Sequence, residues 1–134
     1  MAYYIKTIWG PDGDCYATDG FVGFPINCKN VSQKFKECDG FVIYETGREE
    51  NGRRGNMSVF AIGEISCDQS NLPENKLKWG WYVRVNIIKR VDPRDGVPIE
   101  KLRSLGIAQF QIPGGLIPIT KEQFEAIATE FNSK

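Results

Sequence analysis

The 134 residues include no histidine, and the four cysteines, Cys15, Cys28, Cys38 and Cys67, form no C-x-x-C pair. Ser-His-Asp and Cys-His catalysis in their usual forms, His-ligated zinc and an imidazole base are excluded, and a structural zinc site lacks its ligand spacing. An even cysteine count allows two disulfides, but cytosolic thiols stay reduced, and the four read as small, partly buried groups that pack as hydrophobes. Carboxylates pair as Asp12 with Asp14, Glu49 with Glu50 and Asp92 with Asp95, all in stretches that read as surface turns. No apolar surroundings there would raise a carboxyl pKa for acid or base work, so a small hydrolase is the weakest reading. Pro113-Gly114-Gly115 lacks the Lys and Ser/Thr of a P-loop, and no G-x-G-x-x-G follows a strand. The chain is expected to be no enzyme and to need neither metal nor cofactor.

What remains is stacking and charge. Trp9, Phe21, Phe24, Trp79 and Trp81 stand where strands and loops are expected to meet. Aromatic rings mostly build cores, and Trp81 falls on the inward parity of its segment. Trp79, beside Lys76-Leu77-Lys78, has the setting of a ring that stacks on a base. Basic residues group as Arg48 with Arg53 and Arg54, Lys76 with Lys78, and Lys89 with Arg90. Arg48, Arg53, Arg54, Lys76 and Lys78 are the candidates for phosphate contact, although Glu49 and Glu50 partly offset the first group. With 17 basic and 17 acidic residues the formal net charge is zero, so nucleic-acid binding would rest on a local patch and not on a global field.

These residues need a scaffold, and 41% hydrophobic with 25% charged residues describes one ordinary globular domain spanning residues 1–134. No apolar run has membrane-spanning length and residues 1–8 do not read as a leader, which predicts a cytoplasmic protein without membrane contact. Tyr3-Tyr4-Ile5-Lys6-Thr7-Ile8-Trp9 reads as a strand closed by the turn Gly10-Pro11-Asp12-Gly13, and residues 21–26 as a short extended piece inside a loop. Phe41-Val42-Ile43-Tyr44 and residues 58–66 read as the arms of a long hairpin with a mobile, charged tip. Residues 79–91 alternate, with Trp79, Trp81, Val83, Val85 and Ile87 inward. Residues 98–105 read as a short helix with Pro98 at its first position and Gly106 as its cap. Thr120 and Gln123 match a capping box opening a last helix with Phe124, Ile127, Ala128 and Phe131 on its apolar face. Strands first and helices late predict the α+β class, a small mixed sheet or barrel with flanking helices.

Val22-Gly23-Phe24-Pro25, then Lys29-Asn30, then Cys38-Asp39-Gly40-Phe41-Val42-Ile43-Tyr44 resembles the EVE domain of the PUA-like superfamily, whose pattern runs W-G-V-P, a basic or Asn-containing stretch, and G-D-x before apolar residues and Tyr. Residues 61–65, the strand around Val83, residues 98–105 and the terminal helix match in kind. The resemblance implies a PUA-like mixed β pseudo-barrel of about six strands, and a pocket that reads a modified base, methylated or otherwise modified adenine or cytosine, flipped from DNA or RNA into an aromatic cage. Lys6-Thr7 is similar to the Lys-Ser of the related YTH domains. Carried over by position, the pocket falls to Thr7, Ile8, Trp9, Val22, Gly23, Phe24, Asn30 and Trp79. The family's pocket Trp falls at Val22, with Phe24 expected to substitute, and its Arg before the last helix falls at Ile117. The resemblance further implies the sensor of a modification-dependent restriction or defence system, with a nuclease domain or subunit as partner. The alternative is a small-ligand or protein-interaction module of the same fold without nucleic-acid binding.

Overall fold

The computed structural model describes residues 3–8, 21–24, 40–47, 49–50, 52–66, 81–108 and 116–133. The expectations for Trp9, Asn30, Arg48, Lys76, Lys78, Trp79, the four cysteines and Pro113-Gly114-Gly115 lie outside the described residues. The elements are β1 (Tyr3–Ile8), β2 (Phe21–Phe24), β3 (Gly40–Glu45), β4 (Glu49–Glu50), β5 (Arg53–Arg54), β6 (Ser58–Ile65), β7 (Trp81–Arg90), β8 (Val97–Pro98), α1 (Ile99–Ser104), β9 (Leu116–Ile119) and α2 (Lys121–Asn132). Six strands run in the order β2-β7-β6-β3-β1-β9, and β8 adds to β6. β1 and β3 are parallel, while β1 with β9, β3 with β6, β6 with β7 and β2 with β7 are antiparallel. The architecture is the α+β one predicted, a mixed sheet of six strands flanked by helices.

The sequence pattern of each strand follows from its place. β3 is central and buried at all six positions, which is why it reads as a continuous apolar run and not an alternation. On one face Ile5, Val42, Tyr44 and Val59 pack with Leu102 of α1 and Ile127 and Phe131 of α2. Opposite them, Phe41, Ile43, Phe60, Ile65 and Val85 are buried as well. β7 alternates as predicted, with Val85 buried and Asn86 exposed, until an irregularity in its register with β6. Ile62 faces Lys89 and Gly63 faces Ile87, so Ile88 is the extra residue of a bulge and stands 67% exposed.

Helix ends use local chemistry. Thr120 accepts from the Gln123 backbone N–H at 3.1 Å while the Gln123 side chain accepts from the Thr120 N–H at 2.9 Å, the reciprocal box predicted. α1 ends on Gly106 at φ +89°, where the Gly106 N–H reaches the Arg103 carbonyl and the Ile107 N–H the Leu102 carbonyl, a Schellman pattern sealed by buried Leu102 and Ile107. Pro98 corrects the sequence reading: it caps α1 in an extended conformation at φ −72°, ψ 160° and pairs with Ser58 in β8, so the helix opens at Ile99. At the charged hairpin tip the described residues β4 and β5 pair as a two-strand ladder with Glu49 opposite Arg54, Glu50 opposite Arg53 and Gly52 at φ +77°. Among the described residues no helix is long and apolar enough to cross a membrane.

Candidate nucleic-acid interface

Parallel pairing brings the carboxyl ends of β1 and β3 side by side, with Thr7 opposite Tyr44 and Ile8 opposite Glu45. β6 enters the same end, since Ser58 pairs with Glu45. Of the six buried polar or charged side chains among the described residues, five, Lys6, Thr7, Glu45, Thr46 and Ser58, gather here, whereas Tyr3, Tyr4, Ile5, Phe41 and Val42 occupy the other end. Burying polar groups costs free energy unless each is hydrogen-bonded, so a cluster of them marks a place where something besides packing decides the residue types.

The hydrogen bonds hold this end in one arrangement. Lys6 is 2% exposed and its Nζ donates to the Thr7 carbonyl at 3.0 Å. Glu45, equally buried, accepts at Oε1 from the Asn56 backbone N–H at 2.7 Å and from the Asn56 side-chain amide at 3.0 Å, which ties the hairpin neck to the strand end. Ser58 Oγ donates to the Pro93 carbonyl at 2.6 Å. A rigid rim of this kind is what a specific binding site needs, because a group already fixed loses little entropy when a ligand meets it. Glu45, Thr46, Ser58 and Asn56 escaped the sequence reading. Their signal was a carboxylate ending an apolar run at Tyr44-Glu45-Thr46, which read only as a strand terminus.

Of the predicted pocket residues, Thr7 and Ile8 close β1 at this polar end, with Thr7 buried. Val22, Gly23 and Phe24 form β2 with Phe21 and pair through Val22 with Val83, Gly23 with Tyr82 and Phe24 with Trp81. Val22 and Phe24 thus occupy alternate positions of one strand, the relation on which Phe24 would stand in for a ring at Val22. β1 and β2 are not hydrogen-bonded to each other, since β7, β6 and β3 separate them in the strand order. Ile117 pairs with Ile5 and is buried in the core, so that position serves packing and has no room for the Arg of the EVE pattern. Of the phosphate candidates among the described residues, Arg53 and Arg54 lie on β5 opposite two glutamates. Among the described residues no group of three or more His, Cys, Asp or Glu could hold a metal ion.

No protein-family pattern and no curated protein matches the chain. Solved structures do. The chain is similar to the YTH domain of MmI1, with TM-score 0.58 and 12% identity over 99% of this chain and 96% of that one. It is also similar to the YTH domain-containing protein mmi1 solved as a complex with RNA, with TM-score 0.58 and 11% identity over 97% and 82% of the two chains. Protein PSPTO5229 from Pseudomonas syringae matches with TM-score 0.53 and 16% identity over 96% and 98%. The fold is therefore that of YTH domains.

Proposed function

We propose that this chain is an EVE-type binding module that takes one modified base from RNA or DNA, without a catalytic step. The observation that carries the reading is the cluster of five buried polar side chains at the joined carboxyl ends of β1 and β3, where Thr7 and Ile8 fall. The YTH fold supports it, as does an RNA complex of a protein sharing that fold.

In this reading Thr7, Ile8 and Trp9 line one side of the pocket, Val22, Gly23, Phe24 and Asn30 a second, and Trp79 supplies a ring face. Extruding a base costs a few kcal/mol, and stacking returns roughly 1 to 3 kcal/mol per aromatic face, so recognition needs the ring as well as hydrogen bonds to the base edge. A methyl group is read by the space left for it, worth about 0.8 kcal/mol on burial. Arg48, Arg53, Arg54, Lys76 and Lys78 meet phosphate. The biological role is that of a cytoplasmic sensor in a modification-dependent restriction or defence system, acting with a nuclease domain or subunit. Equilibrium binding of matched oligonucleotides with and without N6-methyladenine or 5-methylcytosine, at fixed salt, tests the proposal. A preference for one modified strand is expected, and equal weak binding to all counts against it.

A second reading, a small-ligand or protein-interaction module, is favoured by the balanced charge of the hairpin tip, where Glu49 and Glu50 face Arg54 and Arg53. Salt separates the two, because binding through phosphates weakens steeply as salt rises while a neutral-ligand pocket hardly responds.

A further inference from the structure

Glu45 brings a carboxylate to the joined ends of β1 and β3 and is 2% exposed. Among the described residues its side chain takes two hydrogen bonds, from the Asn56 backbone N–H at 2.7 Å and from the Asn56 amide nitrogen at 3.0 Å, and both end on Oε1. Oε2 accepts from no described residue and enters no ion pair. A buried carboxylate oxygen without a donor costs free energy that packing does not return, so it is explained by a donor that the chain does not itself supply.

The neck of the hairpin fixes which oxygen is left over. A Cβ at Gly55 would fall on the Thr46 carbonyl and lie 3.3 Å from the Glu45 Cγ, so the chain closes against Glu45 there and sets Asn56 on Oε1. Tyr44 packs in the cluster beneath the helices, and alternation puts Glu45 on the opposite face of the sheet, where its register partner on β1 is Ile8. Lys6, opposite Ile43 on that same face, donates from Nζ to the Thr7 carbonyl at 3.0 Å instead of closing an ion pair with Glu45.

We propose that Glu45 Oε2 reads the edge of the bound base, and that the site takes a base with an exocyclic amino group, of the cytosine or adenine type, over one with a carbonyl in that place. An amino N–H completes the carboxylate, whereas a carbonyl sets oxygen against oxygen. The proposal rests on the modified-base reading of this end of the sheet and narrows it, since 5-methylcytosine and N6-methyladenine each keep an N–H there.

The test measures affinity for short RNA and DNA single strands that differ at one central base. 5-Methylcytosine is compared with 5-methyluracil, and N6-methyladenine with 6-methoxypurine, in which an ether oxygen replaces the N–H. Cytosine and adenine are the unmethylated controls. The wild type is expected to favour the N–H member of the pair it binds by about ten-fold or more. In Glu45→Gln the amide oxygen stays on the two Asn56 donors, which puts the NH2 where Oε2 was, so that preference is expected to fall or invert. A folding defect weakens both members alike and cannot invert their ratio. Equal binding of the two members by the wild type overturns the assignment without any variant, and so does a ratio that Glu45→Gln leaves unchanged. In either case a preference for methylated over unmethylated base leaves the pocket standing. An amino preference that Glu45→Gln abolishes, with methylated and unmethylated bases bound alike, supports the Glu45 assignment and overturns the modified-base reading. Absence of binding to every strand overturns both.

Discussion

Tyr44 sits in the core, 2% exposed, and burial pushes its hydroxyl up to about 12, with Arg103 pulling it down and Glu100 up to smaller extents. The folded state therefore keeps this proton where the unfolded chain, ionising near pH 10, gives it up. Stability from this group is complete below about pH 10 and is lost between about pH 10 and about pH 12, a total of about 3 kcal/mol for a shift of two units. Urea midpoints at about pH 9 and about pH 11 should fall for the wild type and fall less for Tyr44→Phe. At the polar strand end, Glu45→Ala removes the acceptor for two Asn56 donors and should cost roughly 2 to 4 kcal/mol, because both N–H groups lose their partner. Denaturant unfolding checks the magnitude, and a loss under about 1 kcal/mol would mean that water replaces the carboxylate there.

At the scale of elements, the last helix is held by its cap and its apolar stripe together. Thr120→Ala opens the box with Gln123 and should lower stability by about 1 kcal/mol, read as a melting-point drop of a few degrees without change in the sheet signal of circular dichroism. Gly40 opens β3 directly beneath the Tyr3 and Phe124 rings, whose centroids are 4.7 Å apart. A Cβ there would meet Tyr3 at 2.8 Å and Phe124 at 3.1 Å, so Gly40→Ala must shift both rings and should cost roughly 1 to 3 kcal/mol by overpacking. Both elements were readable in advance, since capping chemistry and a 3.6-residue stripe are local. The Pro98 position was misread because pairing of residues 97 and 98 with β6 is a long-range contact that no local pattern encodes.

For the whole molecule, two substitutions should divide the energetics of binding. Trp79→Ala should lower affinity for a modified oligonucleotide by roughly 1 to 3 kcal/mol and affect unmodified strands less, because only a flipped base uses the ring. Lys78→Ala should weaken both alike and flatten the salt slope by about one, since a lysine on phosphate carries no base information. Titrations at several salt concentrations check both. If Trp79→Ala unfolds the domain and leaves preference intact in the folded fraction, the ring is core and the pocket moves toward Trp9 and Phe24.

Most strand and helix segments, the apolar run of β3, the alternation of Val85 with Asn86, the Gly106 cap of α1 and the capping box of α2 were determined by the chain itself, through alternation, apolar runs and capping residues that act within a few positions. The absence of histidine likewise determined, before any fold was known, which chemistry was closed. Tertiary structure alone decided that β1 and β3 run parallel, and so that Lys6, Thr7, Glu45, Thr46 and Ser58, spread over 53 positions of sequence, meet at one end of the sheet. It alone decided that Ile88 is an extra residue in the register of β7 with β6, and that the arginines of the hairpin tip stand opposite glutamates. Strand pairing is set by contacts between residues far apart in the chain, whose free energy depends on which faces are buried together, and no single segment holds that information.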